Sequence, residues 1–318
     1  MRPDLAALGL SQLESRLLLG GARVEPIEGP IRAVLFGAAR FADHGTSLAQ
    51  AQAQRGADPS RSRSTFFPRL RDNIDMLRDA RQLLEQHAER GHHVAPAAMW
   101  LVEHGSLLDQ QLRDVHRALP KSYFARLPRL QDEPLVGLPR VYGLAWAWVA
   151  HTDSGIDENL LRTFLQAYQR HSSLTIGELW AIPTTWRVVL VENLRRLAER
   201  AAAAQAARHA AHRWIEAPGL ADRGALLQRL STVLQQRGLL EIFALQLQRR
   251  FDEWPADGAA AARALIDTHL NDAAGALQRW QQQQTEDHQS VRNAVMALRN
   301  LDHIVWRELF MQTSPMLM

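Results

Sequence analysis

The sequence predicts an all-α protein, and three observations carry that expectation. Apolar residues recur at steps of three and four over most of the chain. Strand-type alternation rich in Val, Ile and Thr is almost absent. The breaks between apolar stretches hold the glycines and prolines that end helices. With 318 residues, 46% of them hydrophobic, the chain can bury a sizeable core. The expected architecture is a multi-helical bundle of about ten helices around one long, proline-kinked helix. It is read as a single domain over residues 1–318 that admits a division into 1–173 and 174–318.

Residues 4–19 read as a short amphipathic helix stopped by Gly20-Gly21, and 22–29 as a loop. Pro30 suits a first helical turn, so an Ala-rich helix is expected over 31–54, interrupted near Gly45. The run GADPSRSRS, residues 56–64, is the clearest loop of the first half. Helix 66–90 follows, with Leu70, Ile74, Leu77, Leu83 and Leu84 on its buried side. Residues 97–119 form a further helix with Trp100, Leu101, Leu108, Leu112, Val115 and Leu119 inward, ended by Pro120. A short helical turn and a Pro/Gly connection over 131–139 lead into the apolar, aromatic helix 140–150. After a turn at 151–155, the helix 156–171 opens with Asp157 and Glu158, which suit the positive end of the helix dipole.

The organising stretch is 174–217. Thr175 and Glu178 have the spacing of a capping box. Ile176, Leu179, Ile182, Trp186, Val189, Leu190, Leu194 and Leu197 then make one apolar stripe. Pro183 lies inside that stripe and cannot donate to the Leu179 carbonyl, so a kink or local break is expected there. Pro218-Gly219 ends the run. Beyond it, helices are expected over 221–236, 239–254, 259–284 and 285–312, with breaks at Gly238 and 255–258. The last of these stacks Val291, Val295, Leu298, Leu301, Val305 and Leu309.

Composition excludes several chemistries. With no cysteine, disulfides, thiolate nucleophiles and Cys-ligated zinc are ruled out. The net charge is only +3 and Lys121 is the one lysine, so no nucleic-acid partner is expected. Arg195, Arg196 and Arg200 could face phosphate or anionic lipid, but the preferred reading is a solvated face. No export signal opens the chain and no window is long and apolar enough to span a bilayer, so the expectation is a soluble, cytoplasmic protein.

Candidate chemistry is sparse. His92-His93 has no third ligand at metal spacing. His209 and His212 share a helix face, but no Glu lies between them and Arg208 and Arg213 flank them. Both pairs read as surface histidines, so no metal ligand is assigned. Asp153, Asp157, Glu158 and Glu178 would have to face one cleft to cleave a glycan, and helix capping already explains them. No Gly-rich phosphate loop follows a strand, and Gln278-Arg279-Trp280 lacks the spacing of a Gln-x-x-Arg-Trp motif. No catalytic residue is assigned. Trp100, Tyr123, Trp146 and Trp180 are the candidates to line a carbohydrate groove, although most aromatic positions fall on core stripes.

Read in series, residues 30–52 (PIRAVLFGAARFADHGTSLAQAQ), 100–128, 137–169 (GLPRVYGLAWAWVAHTDSGIDENLLRTFLQAYQ), 174–198 (LTIGELWAIPTTWRVVLVENLRRLA) and 288–310 resemble the amino-terminal region of cyclic β-1,2-glucan synthases. The resemblance implies a large bacterial inner-membrane enzyme building β-1,2-glucan from UDP-glucose, with this chain as a non-catalytic helical domain ahead of the first membrane span. UDP-glucose and a divalent metal are then implied for the full-length protein, and no cofactor for this chain. The implied partners are the transferase and membrane domains of the same or a companion polypeptide, with an anionic membrane surface as a further one. The implied location is the cytosolic face of the inner membrane. The rival expectation is a helical module holding glucan or a nucleotide sugar in a Trp-lined groove.

Overall fold

The computed structural model describes residues 8–19, 27–53, 66–118, 120–131, 135–216, 223–235, 241–252 and 256–315. The breaks expected at Gly20-Gly21, 56–64, Pro218-Gly219, Gly238 and Pro255 lie outside these residues, as do Leu119 and most of the 22–29 loop. The described residues hold fourteen α-helices and no strand, so the protein is all-α. The helices are α1 Gln12–Leu19, α2 Ala38–Ala53, α3 Phe66–Glu89, α4 Pro96–Glu103, α5 Gly105–Ala118, α6 Lys121–Phe124 and α7 Arg140–Thr152. They continue with α8 Glu158–Gln169, α9 Ile176–Glu216, α10 Arg223–Leu234, α11 Glu241–Asp252, α12 Ala256–Leu270, α13 Ala273–Asn300 and α14 Trp306–Thr313.

Helices outnumber the expected ten because several expected elements are divided, and local backbone chemistry accounts for the differences. The helix expected over 97–119 is split at His104 into α4 and α5. The break expected in the glutamine run near 284 falls instead at Asn271 and Asp272. Asn271 has φ of 57°, a left-handed conformation Asn tolerates, and Asp272 Oδ1 caps the N–H of Gly275 at 2.9 Å. The final stripe does not continue to 312, because a 3-10 turn, Leu301–His303, separates α13 from α14 and leaves Val305 exposed. Residues 31–37 are not helical. Their backbone groups are used elsewhere: Ile31 N donates to Asn193 Oδ1 at 2.6 Å, Ala33 N to Ala150 O at 2.8 Å and Phe36 N to His151 O at 3.1 Å.

By internal contacts the chain forms two compact units, each assembled from three segments. Unit 1 takes Met1–Glu28, Arg78–Val102 and Ala198–Gln289; unit 2 takes Gly29–Leu77, Glu103–Leu197 and Ser290–Met318. Helices α3, α9 and α13 each contribute residues to both.

Unit 2 has an aromatic core. Phe41 packs at 5.0 Å from Trp148 and 5.6 Å from Phe164, while Phe66 stacks on Phe124 at 5.2 Å. Gly45, expected to interrupt α2, lies within a continuous helix packed against α8. A Cβ placed there would sit 2.8 Å from the Phe164 carbonyl oxygen, so glycine is needed for the close approach of the two helices. At the start of α9, Thr175 N donates to Glu178 Oε2 at 2.9 Å and Glu178 N to Thr175 Oγ1 at 3.2 Å. Glu178 is also ion-paired to Arg140 at 2.7 Å. Helix α9 runs through Pro183 with no local break, and Ile176, expected on the buried stripe, is exposed.

The unit 2 part of α9 is buried on nearly all sides rather than along one stripe. Glu192 is wholly buried there, and three helices satisfy it. Arg69 Nε donates at 2.8 Å and Asn73 Nδ2 at 3.1 Å from α3, the Tyr142 hydroxyl donates from α7, and Arg196 Nη2 donates at 2.9 Å from α9 itself. Arg195 and Arg196 are each only 9% exposed, which corrects the solvated face expected for them. Arg195 donates to Asn73 Oδ1 at 2.9 Å, and Arg196 lies 4.9 Å over the Trp146 ring. In unit 1, Arg200 is paired with Asp287 at 3.0 Å.

Unit 1 is built on small side chains. Ala207, Ala210, Ala211 and Trp214 of α9 join Leu8, Leu18, Leu230, Phe243, Phe251 and Ile266 in one cluster. Alanine lets the neighbouring helices approach α9 closely, and Trp214, Phe243 and Phe251 are the large, fully buried side chains of the cluster.

Two outcomes follow from this packing. Gly45→Ala should cost about 1–3 kcal/mol through overpacking, read from the urea midpoint. Burial pushes the Glu192 carboxyl up, but the Arg69 and Tyr142 hydrogen bonds and the Arg196 charge outweigh it and hold the group at about 2. A depressed carboxylate contributes stability above its ordinary value of 4.5, and that contribution is lost as pH falls towards about 2. In Glu192→Gln the acid limb of a stability–pH curve, measured by circular dichroism, should therefore be flatter across that window.

Candidate functional site

Unit 1 brings a buried carboxylate together with three imidazoles. Helix α1 begins with a capping box: Ser11 N donates to Glu14 Oε2 at 2.8 Å, and Glu14 N donates to Ser11 Oγ at 3.2 Å. The box fixes one oxygen of Glu14 and leaves Oε1 pointing at two imidazoles. His87 Nε2, near the end of α3, lies 3.0 Å away, and His209 Nδ1, on α9, lies 2.7 Å away. The His87 Nδ1 atom is 2.8 Å from His92 Nδ1, in the turn after α3. The rings of His87 and His209 are 5.0 Å apart, and those of His92 and His209 are 5.5 Å apart.

Glu14 is 4% and His87 1% exposed, whereas His92 is open to solvent. Burial raises the Glu14 carboxyl, yet hydrogen bonds from His209, His87 and Ser11 overcome this and hold it well below the usual carboxylate range. His92 is pushed down by desolvation and by the neighbouring His87 and His209.

His92 and His209 open onto a cavity of about 360 Å³, lined also by His93, Gln205, Arg208, His212, Gln246, Arg249 and Arg250. Arg208 donates to the His93 carbonyl at 2.9 Å and approaches His93 Nδ1 at 3.0 Å. Arg250 donates to His212 Nδ1 at 2.8 Å, which places the His212 proton on Nε2, 3.1 Å from Glu216. Desolvation and the nearby Arg249 charge lower the Arg208 pKa. Gln246 is 6% exposed, and its buried Nε2 donor has no hydrogen-bond partner among the described residues. Such a lining, rich in cations and donors, suits an anionic ligand.

The residues singled out from sequence are dispersed. Trp100 belongs to unit 1, whereas Tyr123, Trp146 and Trp180 belong to unit 2. Tyr123 donates its hydroxyl to the Gly177 carbonyl, and Trp180 is 62% exposed beside Phe310. Trp146 lines a separate cavity of about 510 Å³ together with Ile31, Leu48, Leu130 and Arg196. Among the carboxylates, Asp157 caps α8 through Leu160 N at 2.8 Å and Glu158 pairs with Arg162 at 3.0 Å. Asp153, at φ of 47°, ends α7 and pairs with Arg32 at 3.4 Å, and Glu178 is held by Thr175 and Arg140. Each therefore has a structural partner.

His92 and His209 were visible in the sequence only as members of two separate local pairs, and Glu14 and His87 were not singled out. Two signals could have found them. Ser11 and Glu14 have capping-box spacing, and His87 continues the buried stripe of Leu77, Ala80 and Leu84 at steps of three and four.

Fold and site together define an all-helical chain with one buried carboxylate, Glu192, held by arginines and another, Glu14, held by imidazoles. Over 263 residues, 78% of its length, the chain is 29% identical to the cyclic beta-(1,2)-glucan synthase NdvB of Rhizobium meliloti (strain 1021). It spans about 9% of that protein's length. No protein-family model matches the chain. Among the described residues no helix is long and apolar enough to cross a membrane.

Removing Glu14 deletes an N-terminal box and an acceptor shared by two imidazoles. Glu14→Ala should lower stability by about 2–4 kcal/mol, measured by chemical denaturation.

Proposed function

We propose that this chain is a non-catalytic, helical N-terminal region of a cyclic β-1,2-glucan synthase-like glycosyltransferase, whose task is to brace the transferase against the cytosolic membrane face. The observation that carries the reading is the similarity to the Rhizobium meliloti synthase, which covers most of this chain but a small part of that protein. The all-helical build supports it, because the carboxylates considered from sequence are engaged in caps and ion pairs rather than facing one another across a cleft. UDP-glucose, a divalent metal and the transferase and membrane domains then belong to the full-length protein, and an anionic membrane surface is a partner of the assembly.

A second reading, a helical nucleotide-sugar-binding module, is favoured by one observation. The pocket of unit 1 collects Arg208, Arg249 and Arg250 around the unpaired donor of Gln246. In that reading the diphosphate sits among the arginines rather than in a Trp-lined groove. Isothermal titration of UDP-glucose, with Arg249→Ala as comparison, separates the two: heat that is lost in the variant favours the module.

The scaffold reading is tested by a chimera in which this chain replaces the matching segment of the Rhizobium meliloti synthase. Membranes carrying the chimera should make cyclic glucan from UDP-glucose, and membranes carrying a synthase with that segment deleted should make none. The purified chain alone should release no UDP from UDP-glucose. Release above the blank, or full synthesis by the deletion variant, would overturn the reading.

A further inference from the structure

We infer that Glu14, His87 and His209 form a binding site for one divalent transition-metal ion of the Zn2+ type, with His92 as the outer partner that orients His87. The three side chains come from α1, α3 and α9, and their ligand atoms all lie within 4.8 Å of one another. Two imidazoles and a carboxylate, with no thiolate, form a donor set that suits a borderline ion rather than Ca2+ or Mg2+.

The distances favour coordination. Ligand atoms on a tetrahedral zinc ion, at about 2.0–2.1 Å from the metal, stand about 3.3 Å apart. Glu14 Oε1 is 3.0 Å from His87 Nε2 and 2.7 Å from His209 Nδ1, so the ion requires these contacts to open by about 0.3 and 0.6 Å. Two imidazoles directed at one tetrahedral ion have ring centres about 5 Å apart. Those of His87 and His209 are 5.0 Å apart.

The outer contacts also match. A metal-bound imidazole characteristically donates its second N–H to a fixed acceptor. His87 presents Nε2 to the site and Nδ1 to His92 Nδ1 at 2.8 Å, so with the metal on Nε2 the Nδ1–H donates to His92. Ser11 N holds Glu14 Oε2 and leaves Oε1 as a single-atom ligand. Glu14 is 4% exposed, so its carboxylate has to be met inside the protein, and a bound cation would meet it. His209 lines the basic cavity and so gives the ion a route in and a fourth position for water or an anion. An anion there also offsets the like charge of Arg208, Arg249 and Arg250.

The experiment uses the 318-residue chain, stripped with EDTA and exchanged into chelator-free buffer. Zn2+ is titrated by calorimetry, with metal content after gel filtration measured by mass spectrometry and Co2+ used as a visible-absorption probe. One equivalent of Zn2+ should be retained, and its binding should raise the melting temperature. Glu14→Gln, which keeps a hydrogen-bonding side chain, and His209→Ala should each weaken binding at least about tenfold, whereas His93→Ala should not. Circular dichroism on each metal-free variant confirms that it is folded. Failure of the wild-type chain to retain Zn2+, or equal affinity in folded Glu14→Gln and His209→Ala, would overturn the inference.

Discussion

The architecture of unit 2 depends on a carboxylate with no exposure to water. Glu192 sits in the middle of α9, and taking its charge out of solvent is unfavourable unless every lone pair is met. Arg69, Asn73, Tyr142 and Arg196 meet them, and the first three come from α3 and α7, whose positions are thereby fixed relative to α9. The net contribution of such a buried ion pair to stability is small, but it admits few alternative arrangements. A shifted register of α3 or α7 would leave a buried charge unpaired. Around it, Asn193 holds Ile31 N and Ser154 Oγ, so the extended segment before α2 and the end of α7 are tied to the same stretch of α9.

Unit 1 uses the same principle with different partners. Its core is alanine-lined along α9, with leucines and phenylalanines supplied by the other helices. Glu14 supplies the specific polar contact there, and its donors are imidazoles and the Ser11 backbone. Arginine remains charged under all ordinary conditions, whereas imidazole can be a neutral donor, an acceptor, a cation or a metal ligand. The arginine-ligated carboxylate is therefore a structural fixture. The histidine-ligated one retains chemical options, and it adjoins a cavity crowded with positive charge.

The similarity to a glucan synthase extends over most of this chain and over about 9% of that protein. Both kinds of buried carboxylate draw their partners from helices distant in sequence.

Sequence periodicity determined the fold class and much of the helix inventory, because a helix that buries a face must repeat its apolar residues every three to four positions. Caps were legible for the same local reason: Thr175 with Glu178 and Asp157 with Leu160 N lie within one turn of each other. The segment 31–37 and the burial of Arg195 and Arg196 were not legible. Their partners are Asn193, Ala150, Asn73 and Glu192, and for residues 31–37 those partners lie more than a hundred positions away. The candidate site was legible only in fragments, as a capping acid, a histidine on a stripe and two local histidine pairs. Only the tertiary structure decided that one oxygen of Glu14 meets His87 and His209, because hydrogen bonding and coordination depend on distances between side chains that lie 73 and 195 residues from it along the chain.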